Sequence, residues 1–168
     1  MDSYVTDTGL EHLKSLTNLI DLELGLTLIT DTGLEHLKGL TSLRQLELGG
    51  TQITDAGLEH LKGLTTLEVL DLCHTQVTDA GLGHLKQLTS LETLHVGNEI
   101  VTDEELKVFR EEHNFRELHS THITDAGLLQ LKGLTKLQDL HLNNTQTTPE
   151  GRAMLRKALP GCKITPAP

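Results

Sequence analysis

Gly33-Leu34-Glu35-His36-Leu37-Lys38 is repeated as Gly57-Leu58-Glu59-His60-Leu61-Lys62, and an earlier copy stands at Gly9-Leu10-Glu11-His12-Leu13-Lys14. The copies are 24 residues apart, and variants begin at Gly81 and Gly127. Thr-Asp pairs mark the same period at Thr6/Asp7, Thr30/Asp31, Thr54/Asp55, Thr78/Asp79, Thr102/Asp103 and Thr124/Asp125, and Thr148/Pro149 continues the series. Every step is 24 residues except the 22 between Thr102 and Thr124. Self-similarity at such a period marks a solenoid, in which one repeat can bury its apolar face only against its neighbours.

Within one period the apolar spacing changes. Leu34, Leu37 and Leu40 recur every three residues, as on a helical face, whereas Leu46 and Leu48 alternate with Gln45, Glu47 and Gly49, as in a strand. Each coil is therefore predicted to hold one strand and one helix. Thr54 is expected to cap its helix, with Asp55 in the first turn where a carboxylate suits the helix dipole. Glu105, three residues after Thr102, would complete a capping box, and Pro149 takes the first helical position of the last repeat.

Composition agrees with many small leucine-filled layers. The chain has 168 residues, 36% of them hydrophobic, which suits one soluble domain, and its aromatic side chains are Tyr4, Phe109 and Phe115, with no Trp. A formal charge of −10 argues against nucleic acid or an anionic membrane, since affinity for phosphate needs clustered Lys and Arg. A basic partner fits better. The spacing of Cys73 and Cys162 resembles neither a disulfide framework nor a zinc ribbon. A membrane-spanning apolar run and a signal peptide are both absent from the sequence, which places the chain in the cytoplasm by default. Met1 opens inside a repeat, which allows for a preceding segment and predicts an uncapped first coil.

Catalytic motifs are missing: there is no phosphate-binding glycine loop, no nucleophile elbow, no H-E-x-x-H and no C-x-x-C. Asp71 and His95 can be imagined as a hydrolytic pair, but without a pocket or an oxyanion hole they do not make a catalytic site. The chain is expected not to be an enzyme and to need no cofactor.

The row Leu43-x-x-Leu46-x-Leu48-x-x-Thr51-x-Ile53 resembles the leucine-rich-repeat consensus, with Thr where that family usually has Asn or Cys. It returns at 19–29 and 67–77, and with substitutions at 91–101 and 137–147. The Thr-Asp-x-Gly-Leu variant looks like the short repeats of many bacterial leucine-rich-repeat proteins. The ending Ala158-Leu159-Pro160-Gly161-Cys162-Lys163-Ile164 resembles the cap that closes such arrays. The resemblance implies an α/β solenoid, a right-handed coil of strand-helix repeats with a parallel concave sheet and helices on the convex face. The array would span residues 1–146 in about six repeats, the first incomplete and one shortened over 103–124, with a capping repeat at 147–168.

On that frame, strand residues alternate between core and concave face, and equivalent residues of neighbouring coils stand about 4.8 Å apart. Three outward columns follow. The first holds Asp21, Gln45, Val69, Thr93, Glu117 and Asp139; the middle holds Glu23, Glu47, Asp71, His95, His119 and His141; the third holds Gly25, Gly49, Cys73, Gly97 and Asn143. None contains Lys or Arg, and the glycines leave the floor shallow, which suits a protruding partner better than a small-molecule cleft. The assignment of His119 depends on the 22-residue step: counted from the helix side it takes the middle column, and counted back from Thr121, Glu117 does. Either register keeps both on the outer face.

The resulting expectation is a monomeric protein-protein interaction module that takes a partner with basic features on the acidic half of the concave face. Two alternatives stand beside it. Asp71, Cys73, His95 and His119 all carry metal donors, although side chains held in parallel on an open face read more simply as a solvated polar ladder. The chain would otherwise be a spacer segment of a larger protein. His12, His36, His60 and His84 share one helical position in coils about 10 Å apart and are expected to be partly exposed. The Lys14, Lys38, Lys62, Lys86 and Lys132 column reads as a solvated rim. Cys162 is expected to pack inside the cap, leaving Cys73 as the more reactive thiol.

Overall fold

The structure, a computed structural model, describes residues 5–97 and 121–166. A spacing of three residues between leucines is the period of a 3₁₀ turn, and the helical part of each coil is correspondingly short. In the second coil a single α-turn, Asp31–Leu34, passes directly into a 3₁₀ turn, Glu35–Leu37, and the chain then runs to the strand Gln45–Glu47. The pattern is that of the first coil, Asp7–Leu10, Glu11–Leu13 and Asp21–Glu23. It recurs as Asp55–Leu58, Glu59–Leu61 and Val69–Asp71, and as Asp79–Leu82, Gly83–Gln87 and Thr93–His95. After Asp125–Gln130, Leu131–Gly133 and Asp139–His141, a longer helix, Pro149–Ala158, and a strand, Lys163–Thr165, complete the described chain.

The strands Asp21–Glu23 (β1), Gln45–Glu47 (β2), Val69–Asp71 (β3), Thr93–His95 (β4), Asp139–His141 (β5) and Lys163–Thr165 (β6) form one parallel sheet in chain order. Leucine-rich rows make its inner face. Leu34, Leu37, Leu40, Leu43, Leu46, Leu48 and Ile53 are all fully buried, so one coil sends apolar side chains inward from helix, strand and connections alike. Thr51 is buried as well, because its hydroxyl donates to the Leu48 carbonyl at 2.6 Å, and Thr75 does the same to Leu72 at 2.7 Å. This internal bond lets threonine stand at a position buried in an apolar layer. Just beyond the strand the backbone turns through left-handed conformation at one equivalent place per coil: Leu26, Gly50, His74 and Asn144 have φ of 58°, 70°, 55° and 55°.

The threonine caps form at the start of every described turn but the first, where Thr6 makes no side-chain bond to the backbone. Thr30, Thr54, Thr78 and Thr124 accept from the N–H two residues on, at 3.2–3.3 Å. Thr148 accepts from Gly151 at 3.0 Å at the head of the Pro149–Ala158 helix. The Thr102/Glu105 capping box lies outside the described residues.

One step departs from the expected order. β4 is the hydrogen-bonded neighbour of β5, and the pairing runs Thr93 to Asp139, Leu94 to Leu140 and His95 to His141, with no strand between them. The coil that reaches Gly97 is continued by Thr121, whose hydroxyl donates to the Val96 carbonyl just as Thr75 does to Leu72. The 22-residue step therefore does not add a row between β4 and β5. The physical reason is that ladder hydrogen bonds already join those two strands. At the other end of the sheet Val5, Leu16 and Ile20 of the first coil are 43%, 48% and 50% exposed, whereas the leucines of the second coil are covered on both sides. No helix among the described residues is long and apolar enough to cross a membrane.

Candidate interaction surface

Alternation puts Leu22, Leu46, Leu70, Leu94, Leu140 and Ile164 inward, so their flanking residues form two rows across the outer face of the sheet. One row reads Asp21, Gln45, Val69, Thr93, Asp139 and Lys163; the other reads Glu23, Glu47, Asp71, His95, His141 and Thr165. Two corrections to the sequence reading follow. Each row passes directly from β4 to β5, and Glu117 and His119, expected at that step, lie outside the described residues. The first row ends in a lysine, because the cap contributes β6 and brings Lys163 beside Asp139. The alternation Cys162-Lys163-Ile164-Thr165, with Cys162 and Ile164 buried, was the signal for that strand.

The surface changes character along its length. Asp21, Glu23, Gln45 and Glu47 are exposed on β1 and β2, whereas Val69, Asp71, Thr93, His95, Asp139 and His141 are half-buried. Gly25 and Gly49 continue the first two strands without side chains, so the acidic end has a low floor. A Cβ on Gly49 would stand 3.3 Å from Asp71 Oδ2, so this glycine gives that carboxylate room.

At the change from carboxylates to imidazoles the side chains converge. Asp71, Cys73 and His95 each place a donor atom within 4.8 Å of the other two. The Cys73 N–H donates to Asp71 Oδ1 at 2.7 Å, which ties the carboxylate to its own strand. The His95 and His141 rings have centroids 4.2 Å apart and are inclined at 45°, while His141 Nδ1 lies 3.3 Å from the Thr165 hydroxyl. Three of the four metal-donor residues picked out in the sequence thus meet, together with a second imidazole. Asn143 is half-buried beside them at the end of β5, against the backbone of Gly97.

The helical side is organised by charge. Lys14, Lys38 and Lys62 pair with Glu11, Glu35 and Glu59 at 3.2, 3.4 and 3.1 Å. The lysine ammonium beside each carboxyl holds these three glutamates below the usual carboxylate range, through a hydrogen bond first and charge second. His36, His60 and His84 are half-buried and His12 is exposed, in keeping with the sequence. Cys162 is buried in the cap; burial pushes its thiol up to about 11, with Asp139 acting in the same direction and Arg156 against it.

The family profile described as Leucine Rich repeats (2 copies) matches residues 65–108, and that described as Leucine Rich repeat matches residues 39–62. No curated protein sequence matches the chain. Among solved structures, internalin C2 from Listeria monocytogenes is similar with 28% identity and a TM-score of 0.58, over 95% of this chain and 65% of that one. Internalin F of the same organism gives 24% identity and a TM-score of 0.50, over 94% of this chain and 50% of that one. The plant peptide hormone receptor RGFR1, solved in complex with RGF2, gives 14% identity and a TM-score of 0.51, over 92% of this chain and 21% of that one, a likeness of fold alone. The chain thus spans less than two thirds of the length of each of these structures.

Proposed function

Since the chain is a leucine-rich-repeat protein of the bacterial type, we propose that it is a non-catalytic interaction module that takes a protein partner with basic features on the outer, concave face of its sheet. The observation that carries this reading is the exposed acidic patch of Asp21, Glu23 and Glu47 over a floor opened by Gly25 and Gly49. Like-signed charges held side by side on a rigid sheet repel one another, and a partner carrying Lys or Arg relieves that repulsion while gaining steered encounter. The patch predicts the chemistry of the partner rather than its identity.

Selection of random peptides on the immobilised chain tests it. The recovered peptides are expected to be enriched in Lys and Arg. They should bind Glu23→Lys/Glu47→Lys at least about tenfold more weakly, a difference of about 1.4 kcal/mol, and bind Glu35→Lys/Glu59→Lys on the helical side unchanged. Peptides without a basic bias, or equal binding by the two double variants, would rule the acidic patch out as the contact.

A further inference from the structure

We propose that Asp71, Cys73 and His95 bind one divalent transition ion of the zinc class, with a fourth coordination position left open on the outer face of the sheet. This site borders the acidic patch on β1 and β2 without sharing its residues, and does not depend on that patch binding a partner.

The backbone register builds the site. Asp71 and His95 are direct partners across β3 and β4, and Cys73 follows Asp71 by two residues, which returns its side chain to the same face. Their donor atoms already lie within 4.8 Å of one another. Bond lengths of about 2.0–2.3 Å to zinc put tetrahedral donors about 3.3–3.8 Å apart, so a side-chain adjustment of roughly an ångström closes the set around one ion. A backbone this regular cannot wrap an ion, but two adjacent strands can hold three donors against one side of it. That is the arrangement of three protein ligands and one open position.

The donor types narrow the choice of ion. Carboxylate, thiolate and imidazole together suit zinc and its d-block neighbours; calcium and magnesium take oxygen ligands and would gain little from Cys73. On binding, the Cys73 thiol gives up its proton to solvent and its sulfur forms the metal bond. Asp71 and Cys73 then bring two negative charges to one dication. The ion also lies beside Glu47, the pairing partner of Asp71 on β2, and its positive charge offsets the crowding of those carboxylates.

Supporting contacts are in place. The Cys73 N–H fixes Asp71 through Oδ1, and Gly49 leaves space beside Oδ2. The His95 ring rests against His141, which is itself held near the Thr165 hydroxyl. Backing of this kind fixes ligand orientation in metal sites.

The test uses the full chain, stripped with a chelator and titrated first with Co2+ and then with Zn2+. One Co2+ per chain is expected, with a thiolate-to-cobalt charge-transfer band in the near ultraviolet that Zn2+ abolishes. Cys73→Ser should remove the band, and Asp71→Asn and His95→Gln should each weaken Co2+ binding by about 100-fold, because even outer-shell changes typically cost 10–100-fold. Cys162→Ser should keep both band and affinity. Circular dichroism of the metal-free variants checks their fold, and protection of Cys73 from iodoacetamide by Zn2+ in the unaltered chain gives a readout that needs no variant. A chain without a thiolate band, a band that survives Cys73→Ser, or Cys73 alkylated equally fast with and without Zn2+ would overturn the proposal.

Discussion

Asp31 accepts two hydrogen bonds from Thr54 of the following coil, one from its backbone N–H at 2.8 Å and one from its hydroxyl at 2.6 Å. The same double bond joins Asp7 to Thr30, Asp55 to Thr78, Asp79 to Thr124 and Asp125 to Thr148. Because the Thr54 hydroxyl donates to Asp31, its lone pairs are left to accept the Ala56 N–H at 3.3 Å. One threonine therefore caps its own turn and ties it to the turn before. Neighbouring coils are held by the strand ladder at the sheet and by a carboxylate ladder at the helical turns, which couples their unfolding along the array.

Asp55→Ala should show what one rung contributes. It removes both acceptors of Thr78 and leaves a half-buried N–H without its carboxylate. Hydrogen bonds to a charged group contribute about 1.5–3 kcal/mol each, so urea unfolding should report a loss of about 3–6 kcal/mol for the pair. Asp55→Asn keeps one acceptor but turns an amide donor toward the Thr78 hydroxyl, and should fall between the two. A loss no larger than about 0.5 kcal/mol in the alanine variant would mean that water replaces the carboxylate there.

The glycine two residues after each of these aspartates belongs to the same device. A Cβ on Gly33, Gly57, Gly81 or Gly127 would overlap Oδ1 of Asp7, Asp31, Asp55 or Asp79 from the preceding coil. Gly57→Ala is expected to destabilise by about 1–3 kcal/mol, the scale of overpacking, although alanine is the better helix former. Gly133→Ala meets nothing within 4 Å and should leave stability unchanged or raise it by up to about 1 kcal/mol. Thermal unfolding of the two variants decides the matter, and equal shifts of the same sign would remove the packing explanation.

These rungs show where sequence reasoning reached and where it stopped. Leu46 and Leu48 announced their strand because a period of two is a local property, and the 24-residue step then placed Asp71 beside His95 without further information. Asp55 could be given only a local role, favouring the dipole of its own turn, because its partner Thr78 is 23 residues away. The joint recurrence of Asp and Gly was the hint, since a carboxylate needs a place where the next coil has no side chain. The kind of helix was not legible, because Leu34, Leu37 and Leu40 fit a 3₁₀ turn as well as an α-helical face. The step from His95 to His141 was hidden because 22 residues look like a shortened coil, whereas β4 and β5 are direct neighbours.

The two cysteines should separate by pH and by reactivity. The Cys162 thiol is pushed up to about 11 from an ordinary 9.0, chiefly by burial. The folded chain then holds that proton more tightly than the unfolded one, so the associated stability is complete below pH 9 and is lost as pH rises through about 11. The urea midpoint should accordingly fall more steeply between pH 9 and 11 in the unaltered chain than in Cys162→Ala. At pH 8, iodoacetamide should modify half-buried Cys73 well before Cys162. Simultaneous labelling by mass spectrometry, or parallel pH curves, would contradict this account.

The join between Gly97 and Thr121 keeps the contacts of an unbroken coil. In the coils on either side, Thr75 and Thr145 bond to the carbonyl three residues back, and Thr121 makes that bond to Val96, 25 residues back. Likewise Asp79 reaches Thr124 across 45 residues, where the other rungs span 23. Both excesses equal 22, the number of residues from 99 to 120. Deleting residues 99–120 joins Asn98 to Thr121 and restores an unbroken 24-residue register, so that Gly97-Asn98-Thr121-His122-Ile123-Thr124 follows the form of Gly49-Gly50-Thr51-Gln52-Ile53-Thr54. Every ladder contact across the join is one that the described coils already make, and a shorter connection lowers the entropy of loop closure. The shortened chain should unfold in one cooperative transition, with stability equal to the parent or up to about 1–2 kcal/mol higher. A deletion variant that lost its cooperative transition would show that β4 and β5 depend on residues 99–120, and the direct pairing of His95 with His141 would have to be abandoned.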